Sequence, residues 1–217
     1  NNRDVRGAGD RKGTMTNEQF AWFLGPLCTE KGDTIADNDG TPIVIVPEVE
    51  SLDAANRVDG ARMYKYEIDK TSTYTYMEND FVLLRYADVI LMKKEAILRG
   101  GQDDAPGIEN TAVDAIKKRA FAYEADPIAT FDQTYPDAFT AIGTGLNDGI
   151  LAERGRELTW ENQRRRDLIR FGQFEKIQYV KNTAETRRWF PIPYTVLQKA
   201  VVDPTTGKKI WTQNPGY

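Results

Sequence analysis

The sequence predicts a mainly α-helical protein with irregular loops and a few short strands. Three observations predict this: residues 80–99 repeat apolar side chains at helical spacing, a second such stretch follows a short polar turn, and residues 148–174 intersperse charges and apolar side chains as a closely packed helix does. Before residue 79, Gly, Asp and Asn are frequent. We therefore expect an irregular part at 1–78 and a helical part at 79–217.

The composition excludes several classes of protein. The chain has 217 residues, 40% of them apolar, which is enough for a sizeable core. Its net charge of -4 argues against a nucleic-acid partner, since duplex binding needs basic patches. Without His and with one Cys, Cys28, it has no His-based catalytic triad, His-ligated zinc or internal disulfide. No stretch is apolar over the roughly 18–20 residues that span a bilayer.

The first predicted helix covers 80–99. Leu84, Ala87, Leu91 and Leu98 keep helical spacing. Asn79 or Asp80 can cap its start, and Gly100-Gly101 supplies a left-handed stop.

The second helix is expected to begin after Thr111, whose hydroxyl forms a capping pattern with Asp114. It should end before Asp126-Pro127, and its apolar stripe is Val113, Ile116 and Ala120. Two helices joined by a short turn form an antiparallel hairpin, the unit of helical repeats. Residues 126–147 are predicted to be a loop.

The irregular part contains few regular elements. Residues 43–46 (IVIV) lie between two prolines, which suits a short edge strand or an extended loop. Tyrosines alternate at 64 and 66 and again at 74 and 76, as on a strand face. The acidic segment 33–40 fails as a calcium loop, because Ile35 and Val46 stand where carboxylates are required. We expect no metal and no cofactor.

Residues 148–174 (DGILAERGRELTWENQRRRDLIRFGQF) carry Glu153, Glu157 and Glu161 at a spacing of four, on one side of a helix. Arginines at pairing distance can offset their repulsion. A solvated surface helix would also show this pattern, but apolar residues on more than one face favour a helix packed on several sides. A break near Gly155 or an end around Gly172 is expected.

Four segments resemble, in order, the C-terminal portion of the SusD/RagB family. They are NDFVLLRYADVILMKKEAILRGG (79–101), LNDGILAERGRELTWENQRRRDLIRFGQF (146–174), WFPIP (189–193) and QNPGY (213–217). Lys65-Tyr66 and RDVRG (3–7), with Val5 in place of the family's Pro, extend the match weakly. Where the family usually reads E-G-x-R, this chain has Asn162 for Gly, which suggests ordinary helical backbone there.

The resemblance implies tetratricopeptide-like helix pairs with an irregular part that carries much of the ligand site. It implies a noncatalytic surface lipoprotein of Bacteroidetes that binds nutrient glycans and delivers them to a SusC-like TonB-dependent outer-membrane transporter. Some branches bind peptides instead. Family members are longer than this chain, so we expect the N-terminal part, with its lipid anchor and first repeats, to be absent here and some apolar helix faces to be exposed.

The hallmark residues are interpreted as scaffold. We expect a partly buried charge network between the two long helices, formed by Arg85, Asp88, Glu153, Glu157 and Arg164. For glycan contacts, the candidates are aromatic residues of the irregular part: Trp22, Tyr74 and Tyr76.

Two alternatives stay open. The first is peptide binding by the same architecture, which composition cannot distinguish from glycan binding. A glycoside hydrolase would need two carboxylates about 5–10 Å apart, which Glu157 and Glu161 could supply. Nearby arginines would keep both ionised, however, so no general acid is evident and we expect no catalysis.

Overall fold

The structure is a computed structural model that describes residues 4–6, 8–10, 21–29, 31–51, 53–66, 78, 80–176 and 184–217. Within these ranges the protein has six α-helices, two short 3-10 helices and four short strands. The prediction of a mainly helical fold with a few short strands is confirmed. The chain forms two compact units, which we call the first unit (Asn1–Gln163) and the second unit (Arg164–Tyr217).

The strands of the first unit are organised around β2 (Trp22–Pro26). It pairs in parallel with β1 (Ala8–Asp10) and antiparallel with β3 (Val44–Ile45) and β4 (Arg62–Met63). The short strand predicted within 43–46 is therefore present as β3. Backbone bonds from Val5 N–H to Ala120 C=O and from Ala21 N–H to Val5 C=O, both 2.8 Å, connect this sheet to the helices.

Helix α1 (Tyr86–Leu98) begins six residues later than predicted. Its N-cap residue Arg85 is extended (φ -142°, ψ 160°), and its side chain binds the carboxylates of Glu157 and Glu161. The predicted caps Asn79 and Asp80 are wrong. The stop is confirmed: Gly100 has φ +99°, and Gly101 N–H bonds Ala96 C=O at 2.9 Å as in a Schellman motif.

Helix α2 (Pro106–Ala120) begins before Thr111, so that predicted N-cap is wrong. Pro106 occupies the first turn, where its missing N–H leaves no bond unmade. The Thr111 hydroxyl instead donates to Gly107 C=O at 2.8 Å within the helix. The predicted apolar stripe of Val113, Ile116 and Ala120 is buried, and α2 packs against α1.

The predicted loop at 126–147 contains a helix, α3 (Pro127–Thr134). Asp126 is its N-cap and accepts from Ala129 N–H at 3.0 Å, and Pro127 is its first residue. Aromatic rings from α3 and its flanks then form a buried cluster that anchors it, made of Phe121, Phe131, Tyr135 and Phe139.

The stretch 148–174 forms two helices, α4 (Gly149–Glu157) and α5 (Arg164–Arg170). The break lies at 158–163, which we call the α4–α5 connection, and not at Gly155. The end near Gly172 is confirmed, since Gly172 has φ +63°. Gly149 has φ +59°, and a Cβ there would lie 2.4 Å from Gly143 N, so only glycine fits. Residues 149–154 are all buried, as expected of a helix packed on several sides.

Two sequence motifs contact each other in the second unit. The Tyr217 hydroxyl donates to Trp189 C=O at 2.9 Å, and Asn214 Nδ2 donates to Phe190 C=O at 2.7 Å. The side chain of Gln213 bonds both Ile192 N–H and Ile192 C=O. The terminal QNPGY segment therefore holds the WFPIP segment, which precedes the short helix α6 (Tyr194–Gln198).

One face of α1 is apolar and exposed. Tyr86, Val89 and Met92, at a spacing of three, are 68%, 50% and 44% exposed. Exposed apolar faces of this kind are what the sequence predicts. None of the helices in the described part of the chain is both long enough and apolar enough to cross a bilayer.

Candidate functional site

Arg85 joins the start of α1 to the end of α4. Its Nη1 donates to the Glu157 carboxylate at 2.6 Å, its Nη2 to Glu157 C=O at 2.6 Å and its Nε to the Glu161 carboxylate at 2.7 Å. The planar fork of an Arg guanidinium suits several such bonds at once. The structure thus brings the predicted residues Arg85 and Glu157 together.

Glu153 is joined to this group by Arg6, a residue not among the predicted members. The guanidinium of Arg6 contacts Glu153 and Asp4, and its Nη1 lies 3.4 Å from Glu157. Burial would lower the pKa of Arg6, but the charges of Glu153 and Asp4 outweigh burial and raise it. Arg6 is therefore a fixed cation beneath α4.

Lys65, two residues after β4, contacts the end of α4 and the α4–α5 connection. Its ammonium group contacts the Glu161 carboxylate and donates to Glu157 C=O at 2.8 Å and Thr159 C=O at 2.9 Å. Burial lowers the pKa of Lys65, and Glu161 only partly offsets this. Burial would raise the pKa of Glu161, but its bonds to Arg85 and Lys65 lower it.

Two further arginines complete what we call the charge network. Arg119, at the end of α2, contacts Glu157, and Arg156 binds Glu153 at 2.9 Å while stacking 3.7 Å from the ring centre of Tyr135. The members of the charge network are Asp4, Arg6, Lys65, Arg85, Arg119, Glu153, Arg156, Glu157 and Glu161.

Of the other two predicted members, one is paired outside the charge network and one belongs to the second unit. Asp88 of α1 forms a separate ion pair with Arg154 of α4 at 2.9 Å, and both side chains are at most 2% exposed. Arg164 begins α5 in the second unit, so its membership of the network stays a prediction. Arg154 was not predicted as a partner of Asp88. Nothing in the sequence distinguishes it from the neighbouring arginines, although it shares a helix face with Ile150 and Leu151.

The α4–α5 connection has unusual backbone. Trp160 has φ +63° and Asn162 has φ +58°, in the left-handed region. The expectation of ordinary helix at Asn162 is therefore wrong. Asn tolerates this conformation better than other residues with a Cβ, so it can stand where the family usually has Gly. A Trp in this region is strained, and such strain concentrates at functional positions.

Trp160 forms a ring pair with Trp22, one of the three predicted ligand residues. The ring centres are 6.3 Å apart and the planes are tilted by 57°. Trp160 is 55% exposed and Trp22 is half-buried. We call these two residues the tryptophan pair. The other two candidates, Tyr74 and Tyr76, lie outside the described residues, so no geometry bears on them.

The carboxylates of the charge network are arranged for pairing. Each of Glu153, Glu157 and Glu161 binds at least two cationic side chains, and Glu161 has a lowered pKa. Among the residues that the structure describes, no three His, Cys, Asp or Glu side chains are placed to hold a metal ion.

Comparison with known proteins gives one family. A family model described as "SusD family" matches residues 14–217. The chain is similar to the starch-binding protein SusD of Bacteroides thetaiotaomicron, with 26% identity over 164 residues. That alignment covers 71% of this chain and 24% of SusD, so the chain spans about a quarter of the length of its relative. No solved structure matches the chain.

Proposed function

This chain belongs to the SusD family, and from that premise we propose that it is part of a noncatalytic receptor for nutrient oligosaccharides. The receptor sits on the outer membrane, held by an N-terminal lipid, and passes its ligand to a SusC-like TonB-dependent transporter. SusD, to which the chain is similar, is a starch-binding protein. The observation that carries the proposal for this chain is the tryptophan pair.

The tryptophan pair has the properties of a sugar-binding surface. The two indole rings lie 6.3 Å apart, centre to centre, with their planes tilted by 57°, and indole N–H groups can donate to hydroxyls. Lys65 binds Thr159 C=O directly before Trp160, which holds the backbone next to the exposed ring. An aromatic surface of this kind suits the C–H face of a pyranose ring.

The charge network supports binding without catalysis. A glycosidase needs one carboxyl group whose pKa is raised so that it can act as general acid. In Glu161 the pKa is lowered, which is the opposite shift. Glu157 contacts Arg6, Arg85 and Arg119, so its oxygens are occupied by scaffold partners.

The test is a titration of the full-length protein with malto-oligosaccharides and other neutral oligosaccharides, followed by Trp fluorescence and calorimetry. Trp160→Ala and Trp22→Ala should each weaken binding by about tenfold or more, as truncation of a buried aromatic anchor does. Trp211→Ala is the matched control, because Trp211 is 54% exposed and Trp160 is 55% exposed.

Thermal unfolding of each variant separates lost binding from lost structure. If no oligosaccharide binds, or if the three variants bind equally well, the tryptophan pair is not the ligand surface. Binding of peptides in place of sugars would assign the protein to the peptide-binding branch instead.

A further inference from the structure

The charge network borders a cavity of about 250 Å³ in the first unit. Five cationic side chains line it, together with one carboxylate. They are Arg6, Lys65, Arg85, Arg119, Arg156 and Glu157. We call it the cationic cavity. Its volume corresponds to roughly eight water molecules at ~30 Å³ each, which is room for one sugar-sized group.

The two signs of charge are unequally exposed around the cationic cavity. The four carboxylates of the charge network are at most 4% exposed, whereas Lys65, Arg85 and Arg156 are 21–24% exposed and Arg119 is 52% exposed. The acids therefore lie behind the cations. Among its described members, the charge network has five cations and four carboxylates, which leaves one positive charge in surplus.

Within the described part of the chain, two arginines at the cavity keep donors that the scaffold does not use. Arg119 makes one hydrogen bond, to Glu157, among the described residues, and a guanidinium has five N–H groups. Arg156 uses Nε and Nη2 for Glu153 and packs its face on Tyr135, which fixes the direction of the remaining donors. Rigid guanidinium forks of this kind match the geometry of a carboxylate.

Residues that line the cavity are directly connected to the tryptophan pair. Ala21, which lines the cavity, precedes Trp22, and Lys65 bonds both Glu157 C=O and Thr159 C=O next to Trp160. We propose that the cationic cavity binds the carboxylate of a uronic acid residue, so that the ligand class is an acidic oligosaccharide. This inference rests on the proposed function and names its substrate class.

The experiment compares an oligogalacturonate with its neutral methyl ester, in which each charged carboxylate is replaced by an uncharged ester, by calorimetry on the full-length protein. The acid should bind at least about tenfold more tightly at low salt, and the preference should shrink as NaCl screens the charges. Arg119→Gln should remove most of the preference. Arg57→Gln is the control, since Arg57 is 61% exposed in the same unit and pairs with Asp37.

Arg119→Lys adds a second test, because it keeps the charge but loses the fork and should retain only part of the preference. Equal binding of acid and ester, or an equal loss in Arg57→Gln and Arg119→Gln, overturns the inference. Arg119-dependent binding of an N-acetyl dipeptide without uronate binding also overturns it, since the carboxylate would then be that of a peptide.

The two proposals fail in different ways in this experiment. If the ester binds and its binding depends on Trp160, but the acid is not preferred, only the uronate inference fails. If neither acid, ester nor neutral oligosaccharide binds, the proposed function fails as well.

Discussion

Helix α4 and the α4–α5 connection are neighbours in the chain, but α4 buries charged side chains whereas the connection exposes an aromatic one. In α4, Glu153, Arg154 and Glu157 are at most 3% exposed and all are ion-paired. In the connection, Trp160 is 55% exposed on a left-handed backbone. The comparison shows that one family motif, 146–174, contains both a buried helix of the scaffold and a segment that exposes the Trp160 ring.

The largest effect should come from removing a carboxylate that α4 encloses. Glu157→Ala leaves Arg6, Arg85 and Arg119 without a shared acceptor, and we expect the free energy of unfolding to fall by about 3–5 kcal/mol. Urea denaturation measures this. Glu185→Ala, at an exposed ion pair, is the control and should change stability little. If Glu157→Ala were as stable as the wild type, the charge network would not stabilise the fold.

The buried pair between α1 and α4 gives a second test of enclosure. Arg154→Met leaves the Asp88 carboxylate buried without its partner, and stability should again fall by about 3–5 kcal/mol. The double variant Asp88→Leu/Arg154→Met removes both charges and should recover much of that loss. A thermal double-mutant cycle measures the coupling. If the double variant lost the sum of the two single effects, the pair would not act as a unit.

A smaller effect is expected in the α4–α5 connection, where backbone conformation matters more than charge. Asn162→Ala should lower the free energy of unfolding by about 1–2 kcal/mol, because a Cβ disfavours φ +58°. Asn162→Gly should be neutral or stabilising. Asn38→Ala, in an exposed turn, is the control. Equal stability of the Ala and Gly variants at 162 would contradict the left-handed conformation.

The smallest effect concerns pH. Because bonds to Arg85 and Lys65 outweigh burial and lower the pKa of Glu161, this group stabilises the fold above the ordinary glutamate pKa of about 4.3. The contribution disappears as the pH falls through the lower pKa of the folded state. Glu161→Gln should therefore lose less Tm than the wild type between about pH 5 and pH 3. Parallel Tm curves would show that Glu161 does not titrate differently on folding.

Local signals in the sequence predicted some of the helix ends and one buried helix face. The Gly100-Gly101 stop, the stripe on α2 and the end near Gly172 were all predictable, because each depends on neighbouring residues. Helix α3 was predictable too, since Asp126-Pro127 combines an N-cap residue with a first-turn proline. Asp126-Pro127 was interpreted only as the limit of the preceding helix, although it marks the start of α3.

The remaining features depend on partners far away in the sequence. Arg6 and Glu153 are 147 residues apart, and Lys65 and Glu161 are 96 apart, so no local pattern links them. The start of α1 coincides with contacts of the same kind, since its N-cap residue Arg85 binds Glu157 and Glu161. Trp22 was predicted for its aromatic type, whereas its partner Trp160 was counted among the apolar residues of a helix.

The charge network also has a kinetic consequence. Its members come from 4–6, 65, 85, 119 and 153–161, so it can close only after most of the first unit has been brought together. The helices themselves form quickly. We expect the network to form late, after the rate-limiting step, so that it acts mainly by slowing unfolding. The first unit would then owe its lifetime, more than its speed of assembly, to these buried charges.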